Sequence, residues 1–148
     1  MKIAVAFDHA GFPLKDFVLD TIRANGHDPI DLGTDSTDPV DYPDTARDVA
    51  DAVRSGTADR GVIVCGSGAG VAIAACKVHG IRAFVAHDTY SAHQAVEHDD
   101  ANVACLGARV IGPALAEDVL KAFLGARFSG EERHLRRLQK IDALEQAG

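Results

Sequence analysis

Residues 61–75 read GVIVCGSGAGVAIAA. The unbroken apolar run that ends at Cys65 predicts a strand buried on both faces, and the apolar run after Gly70 predicts a helix. Gly66, Gly68 and Gly70 alternate between the two, so backbone N–H groups and the start of a helix meet at the carboxyl end of the strand. Such an arrangement stabilises an anion, whether a phosphate or an oxyanion that develops during a reaction. A glycine-rich turn that serves only tight packing is the alternative interpretation.

The spacing of these glycines differs from two common nucleotide-binding motifs. It is G-x-G-x-G, without the last step of the dinucleotide pattern G-x-G-x-x-G. No Gly-Lys-Ser or Gly-Lys-Thr follows, as it does in a P-loop. The stretch therefore matches neither motif.

Cys65 gives the turn a chemical group as well as a shape. A cysteine at the start of a helix is favoured in its thiolate form, which serves as a base or a nucleophile. A buried structural cysteine is the alternative. That second interpretation is the one we give to Cys76, predicted inside the following helix, and to Cys105, predicted inside an apolar strand.

Short apolar segments alternate with segments of helical period along the whole chain. This order predicts an α/β fold: one doubly wound, Rossmann-like domain with a five-stranded parallel sheet. A final basic helix over 131–146 has no strand after it, and such an appended C-terminal helix often packs on a second subunit. The predicted strands are residues 2–7, 28–31, 61–65, 81–86 and 102–106.

The composition fits one globular domain and excludes several classes of partner. A chain of 148 residues with 47% apolar and 25% charged residues can bury one core. The net charge of −7 disfavours nucleic acid and anionic membranes as partners. Three cysteines without C-x-x-C spacing predict no disulfide framework and no structural zinc, and the N-terminus lacks the apolar run of a secretion signal. We therefore expect a cytoplasmic protein.

Two polar residues close the first predicted strand. Asp8 and His9 should lie at the carboxyl edge of the sheet, where open α/β folds bind their ligands. Capping of the helix that starts near Gly11 is the alternative role of Asp8, and the two roles are compatible.

A histidine also stands before the fifth predicted strand. His98 forms a sequence cluster with His93 and Glu97, but no H-E-x-x-H pattern is present, so we expect no metal site. A titrating acid or base is the other interpretation of His98. The remaining histidines that we interpret as solvated or loop residues are His27, His79 and His87.

The last predicted helix carries two arginines at i and i+4. Arg133 and Arg137 therefore share one face, where two guanidinium groups suit a phosphate dianion. The spacing alone favours an ordinary solvated basic face.

Six segments taken together resemble the ribose-5-phosphate isomerase B family, which also contains the galactose-6-phosphate isomerase subunits. The resemblance extends from the first strand to the last helix and would make residues 1–148 a single sugar-phosphate isomerase domain. The segments are DHAG at 8–11, DYP at 41–43, CGSGAG at 65–70, GIRA at 80–83, NV at 102–103 and GARVIG at 107–112.

The resemblance implies a role for each residue of the glycine-rich turn. Cys65 would be the base that takes the proton from C2 of an aldose phosphate and returns it at C1 of the enediolate, without a cofactor. The Ser67 hydroxyl would assist proton movement between the two substrate oxygens. The developing oxyanion would be held by the backbone amides of Gly66, Gly68, Ala69 and Gly70.

The resemblance also implies how the rest of the substrate is held. His98 would open the furanose ring and Asp8 would bind a sugar hydroxyl. The phosphate-binding residues would be His9, Arg133 and Arg137, with Arg109 as a further arginine of the site. In this family the sites are shared between the subunits of a dimer, so we expect a homodimer or a tetramer of such dimers.

Two positions depart from the family pattern. Asp99 stands where many members carry Asn, and a carboxylate accepts hydrogen bonds from a sugar hydroxyl but does not donate one. The preferred substrate therefore remains open between ribose 5-phosphate and another sugar phosphate, such as galactose 6-phosphate or a four-carbon one. Cys76 replaces a more frequent Asn, and nothing in the sequence explains it. A non-catalytic protein that binds a phosphorylated metabolite is the alternative from another class.

Overall fold

Five parallel strands form the central sheet of the computed structural model, which describes residues 1–148. The spatial order is β2-β1-β3-β5-β4. This confirms the predicted doubly wound α/β fold. The strands are β1 Lys2–Phe7, β2 Asp28–Asp31, β3 Arg60–Cys65, β4 Ala83–Val85 and β5 Val103–Gly107.

Six α-helices connect and extend the strands. A short 3₁₀ turn, Phe12–Leu14, leads into the first of them. Pro43 and Pro113 lie in the first turns of the second and fifth helices, where a missing N–H costs nothing. The helices are α1 Lys15–Ala24, α2 Tyr42–Arg54, α3 Ala69–Ala75, α4 Thr89–Asp99, α5 Pro113–Gly125 and α6 Glu132–Ala147.

The hydrophobic core lies in two layers, one on each face of the sheet. Helices α1, α4 and α5 cover the face that includes Val5 and Phe7. Helices α2 and α3 cover the other face, where β1 presents Ala4 and Ala6. At Gly61 of β3, a Cβ atom would lie 2.4 Å from the Val49 side chain, so α2 approaches the sheet too closely for any larger residue.

The strand order places a crevice between the carboxyl ends of β1 and β3. The chain leaves β1 toward β2 through α1 on one face, and it leaves β3 toward β4 through α3 on the other face. Where successive connections run in opposite directions, the loops separate and leave room for a ligand. Asp8 and Gly66 follow these two strands directly.

The structure differs from the sequence prediction around Cys76. Helix α3 ends at Ala75, and Cys76 is exposed, with Sγ 3.3 Å from the Ala83 carbonyl oxygen to which it donates. The prediction of a buried cysteine inside the helix is wrong, because the chain turns there toward the sheet edge formed by β4. Cys105 is buried as predicted, and this burial raises the pKa of its thiol.

None of the helices combines the length and the apolar character needed to cross a membrane.

Candidate active site

A cavity of about 430 Å³ lies at the carboxyl ends of β1 and β3. We call it the carboxyl-edge pocket. It contains the two polar residues that follow β1 and the glycine-rich turn that follows β3. Its lining residues are Asp8, His9, Ala10, Tyr42, Cys65, Gly66, Ser67, Gly70, Arg109 and Val110.

Cys65 is the last residue of β3 and lies at the base of this pocket. Cys65 is 5% exposed, and its Sγ accepts a hydrogen bond of 3.0 Å from the Gly68 N–H. Gly68 has a φ of +81°, a conformation that favours glycine and that turns its amide back toward the sulfur. An amide dipole directed at sulfur stabilises negative charge there. The sulfur is therefore placed to act as a base or a nucleophile on a ligand in the pocket.

The loop after β5 supports the turn from the other side. The Ala108 N–H donates to the Cys65 carbonyl at 2.8 Å, and the Arg109 N–H donates to the Gly66 carbonyl at 3.0 Å. At Gly66, a Cβ atom would lie 3.5 Å from Cδ and Nη1 of Arg109, so the guanidinium group lies beside the turn. The Ser67 hydroxyl accepts from the Ala69 N–H at 3.2 Å. Cys65, Ser67 and Arg109 are thus brought together, although 44 residues separate the first from the last.

The Asp8 side chain is hydrogen-bonded to the backbone of the loop that follows it, and it also lines the pocket. Oδ1 accepts from the N–H groups of Ala10 and Gly11, both at 2.9 Å, while the residue is 5% exposed. These amides precede the 3₁₀ turn, so Asp8 orders the loop before the helix. The second carboxylate oxygen, Oδ2, makes no hydrogen bond within the chain and is available to a ligand.

His9 is oriented by the loop between β2 and α2. Its Nδ1 accepts a hydrogen bond of 3.2 Å from the Val40 N–H. A neutral imidazole that accepts at Nδ1 carries its proton on Nε2. Nε2 of His9 is therefore a hydrogen-bond donor, which suits an anionic ligand.

Tyr42 lines the pocket, although the sequence predicts no role for it. Its ring packs so closely on the turn that a Cβ atom at Gly70 would lie 2.8 Å from two ring carbons. The DYP segment at 41–43 was the signal available in the sequence, since it belongs to the family resemblance.

His98, Asp99, Arg133 and Arg137 do not line the carboxyl-edge pocket. Helix α4 follows β4 and runs back antiparallel to the strands, so His98 in its last turn lies toward the amino edge of the sheet. Asp100, two residues after His98, lies at the same edge, because it pairs at 3.0 Å with Arg82, which precedes β4. A strand as long as β3 spans about 16 Å between the two edges.

Helix α6 lies along the same amino edge. Its beginning is held beside α4, where the Ser129 N–H donates to the Glu97 carbonyl at 2.9 Å and the His134 ring stacks on His98 at 4.1 Å. Its end is held by Glu145, which accepts from the Gly80 N–H in the loop before β4 at 3.0 and 3.1 Å. The residues that cluster here, His98, Asp99, Arg133, His134 and Arg137, are called the amino-edge cluster.

His134 was missed by sequence reasoning, and so was its stack on His98. The residue is 2% exposed, and its Nδ1 forms a short hydrogen bond with the Ser129 hydroxyl. Two histidines 36 positions apart give no periodic signal. His93, in contrast, pairs with Glu97 one helical turn away at 2.9 Å.

His87 lies in the loop between β4 and α4, as predicted, but it is half-buried and makes a hydrogen bond that the sequence did not indicate. Nε2 of His87 accepts a hydrogen bond of 2.8 Å from the Gly107 N–H. The pairing of β4 with β5 ends at Val85 and Cys105, so Gly107 lies two residues beyond the last pair and takes the side chain as its partner. Burial lowers the pKa of His87, and the nearby Asp88 carboxylate opposes that shift.

We expect the free energy of unfolding to decrease as the pH is lowered below 6.5, and we expect His87 to account for part of this decrease. With its pKa lowered in the folded state, the unfolded chain binds a proton at this residue when the folded chain does not, so the free energy of unfolding decreases as pH decreases. His87→Gln keeps an acceptor but does not titrate. Thermal unfolding followed by circular dichroism at pH 7 and pH 5 should show a larger fall in Tm for the wild type than for the variant. Equal falls in Tm would contradict this assignment.

Comparison with known proteins identifies similar chains over nearly the whole length. A family model described as Ribose/Galactose Isomerase matches residues 3–141. Ribose-5-phosphate isomerase B of Escherichia coli is 44% identical, over 98% of this chain and 97% of that protein. D-erythrulose-4-phosphate isomerase of Pectobacterium atrosepticum is 43% identical, over 88% and 86%. The solved structure of ribose-5-phosphate isomerase B from Clostridium thermocellum superposes with a TM-score of 0.96, at 46% identity over 99% of both chains.

Proposed function

Since the chain belongs to the ribose/galactose isomerase family and is a sugar-phosphate isomerase, we propose that it interconverts ribose 5-phosphate and ribulose 5-phosphate. The observation that carries this proposal is Sγ of Cys65 in the carboxyl-edge pocket, 3.0 Å from the Gly68 amide nitrogen. A sulfur held in this way is suited to removing a proton from a carbon next to a carbonyl group. Family membership sets aside the non-catalytic alternative.

In the proposed reaction, Cys65 as thiolate takes the proton from C2 of the open-chain aldose. The C2–H electron pair forms the C1–C2 double bond, and the carbonyl oxygen at C1 takes the negative charge of an enediolate. The same proton is returned at C1 to give the ketose, while the Ser67 hydroxyl assists proton movement between the oxygens at C1 and C2. No external oxidant, reductant or cofactor enters this balance.

The developing negative charge requires donors close to the sulfur. The Gly68 amide donates to Sγ and the Ala69 amide to the Ser67 hydroxyl, so these two bonds hold the reacting side chains. We assign the oxyanion to the amides of Gly66 and Gly70 together with the Arg109 guanidinium group. Preformed donors of this kind need no reorganisation during the reaction, which is the main source of their effect.

We propose that the active enzyme is a homodimer, because one chain places its functional residues at two opposite edges of the sheet. Ring opening by His98 and phosphate binding by Arg133 and Arg137 must occur next to Cys65, yet a strand's length separates them. If the amino-edge cluster of one subunit meets the carboxyl-edge pocket of the other, the two sites are equivalent and complete.

Exposed apolar residues near the open edge of the sheet support this dimer. Ile73 on α3 is 65% exposed and Val85 on the edge strand β4 is 40% exposed, and an apolar hollow lies between these elements. A bare strand edge and exposed aliphatic side chains are features that proteins usually cover. A second subunit is the cover that also completes the site.

The phosphate group would then be bound by donors from both subunits. In one chain, Nε2 of His9 would donate a hydrogen bond to the phosphate. Oδ2 of Asp8 in the same chain would accept one from a sugar hydroxyl. Arg133 and Arg137 of the partner subunit supply two guanidinium groups for the phosphate dianion. Asp99 of the partner subunit accepts from a sugar hydroxyl, as a carboxylate does in place of an amide.

A second candidate substrate is D-erythrulose 4-phosphate, because a relative with 43% identity carries that name. We expect kcat/KM to be at least about tenfold higher for ribose 5-phosphate than for four-carbon or six-carbon sugar phosphates. A coupled assay across such a panel measures this, with Asp99→Asn assayed in parallel as the matched variant. A higher kcat/KM for the four-carbon substrate would replace the assignment, and a changed ratio in Asp99→Asn would locate the preference at residue 99.

A further inference from the structure

His87 lies next to the carboxyl-edge pocket but does not line it. It follows β4 by two residues and accepts from the Gly107 N–H at 2.8 Å through Nε2. Gly107 is the last residue of β5, and beyond the Val85–Cys105 pair no backbone of β4 is left to accept from it. The imidazole therefore replaces the missing strand as the hydrogen-bond partner of Gly107.

The other side of Gly107 contacts the catalytic turn. A Cβ atom at Gly107 would lie only 2.6 to 2.7 Å from the backbone atoms of Ser67, so the two backbones are in direct contact. Gly107 also pairs with Cys65 in the register of β3 and β5. Any movement of Gly107 toward β4 would remove the support on which Ser67 rests.

Gly107 also begins the turn that carries Arg109. Its carbonyl oxygen accepts from the N–H groups of Val110 and Ile111, at 3.0 and 3.1 Å. The Arg109 N–H donates to the Gly66 carbonyl at 3.0 Å. One residue therefore sets the place of both Ser67 and the Arg109 guanidinium group.

We infer that His87 is a positioning residue of this isomerase: its Nε2 fixes Gly107, and through Gly107 it fixes Ser67 and Arg109 relative to Cys65. The acceptor role requires a neutral ring with its proton on Nδ1. His87 touches no substrate in this arrangement. The inference rests on the proposed function, because it concerns the rate of the proton transfer assigned to that turn.

The test compares two variants of similar size that differ in one property. His87→Gln keeps an oxygen near the place of Nε2, whereas His87→Leu has no acceptor. With the sugar phosphate that the wild type converts fastest, we expect kcat to fall about 10-fold to 100-fold in His87→Leu and to stay within about threefold in His87→Gln. His79→Leu is the control, since the His79 side chain is 71% exposed.

A second measurement separates positioning from general damage. Competitive inhibition by inorganic phosphate reports on His9, Arg133 and Arg137, which do not depend on Gly107, so its inhibition constant should change by less than about twofold in both variants. Hydrogen exchange at the Gly107 amide, followed by NMR, should be at least about tenfold faster in His87→Leu than in His87→Gln.

The outcomes are distinct. Wild-type kcat in His87→Leu, equal losses in both variants, or a parallel loss of phosphate inhibition would each overturn the inference. If His87→Leu does not fold, His87→Asn takes its place, because its side chain is too short to reach Gly107. A wild-type protein that converts no sugar phosphate would refute the proposed function, and the exchange rate of the Gly107 amide would still test the hydrogen bond.

Discussion

Replacing Cys65 with alanine should lower kcat by about three orders of magnitude or more, while KM stays within about threefold of the wild type. In the proposed mechanism other residues bind the phosphate and the hydroxyl groups of the substrate, so loss of the sulfur removes the proposed base and leaves the proposed binding groups in place. Cys65→Ser should be nearly as inactive, because a hydroxyl still accepts from Gly68 but is a much weaker acid than a thiol. Steady-state kinetics on ribose 5-phosphate measure both variants.

The matched control for this experiment is Cys76→Ala. It makes the same chemical change at an exposed cysteine outside the carboxyl-edge pocket. Because Cys76 lines the apolar hollow assigned to the dimer contact, size-exclusion chromatography checks that the variant assembles as the wild type does, and we then expect turnover close to that of the wild type. Proton exchange at C2 of the substrate in deuterium oxide provides an independent readout of the same step. If Cys65→Ala kept wild-type turnover or wild-type exchange, another group would have to be the base.

Two inactive variants should restore activity when they are mixed. Cys65→Ala lacks the proposed base of the carboxyl-edge pocket, and His98→Ala lacks the proposed ring-opening group of the amino-edge cluster. If each site combines the pocket of one subunit with the cluster of the other, a mixed dimer contains one site with both defects and one intact site. Unfolding and refolding an equal mixture gives mixed dimers in about half of the population, so about a quarter of wild-type activity should return.

This prediction has a control within the same mixture design. Cys65→Ala refolded with Cys65→Ser should regain nothing, because every pocket then lacks the thiol. Activity below about 1% of the wild type in the Cys65→Ala and His98→Ala mixture, with mixed dimers demonstrated by mass spectrometry, would show that the sites are not shared in this way. Size-exclusion chromatography with light scattering measures the size of the assembly independently.

Most of the sheet could be predicted from local patterns in the sequence. Buried parallel strands are unbroken apolar runs, and the predicted strand at 2–7 agrees with β1 in both bounds. The predicted strand at 28–31 also agrees with β2, although this edge strand reads DPID and has exposed ends. The strand predicted at 81–86 is shorter in the structure, Ala83–Val85, because β4 is an edge strand that pairs on one side only. Apolar character does not distinguish a paired residue from its neighbours in an adjacent loop.

The pocket could be predicted only in part. Cys65 ends a strand, Asp8 and His9 follow one, and the polarity of a parallel sheet brings such residues to one edge. Tyr42 and His87 could not be assigned in the same way, because each acquires its contact from a distant segment. The contact of His87 with Gly107 exists because β4 stops two residues before β5 does, and that depends on strand pairing.

The amino-edge cluster depends on tertiary structure to an even greater degree. Spacing places Arg133 and Arg137 on one face of α6, and no more than that. Their place at the amino edge comes from the stacking of His134 on His98 and from the contact of Glu145 with the loop before β4.

By itself, the sequence determined the fold class, the order of the strands along the chain and the identity of the glycine-rich turn with its cysteine. These are set by interactions between residues close together in the chain, which leave a periodic or a motif signal. Tertiary structure alone decided which polar residues share an edge of the sheet and which lie at the opposite one. That outcome depends on the direction in which each helix crosses the sheet, and no local pattern of residues encodes the distance between two edges.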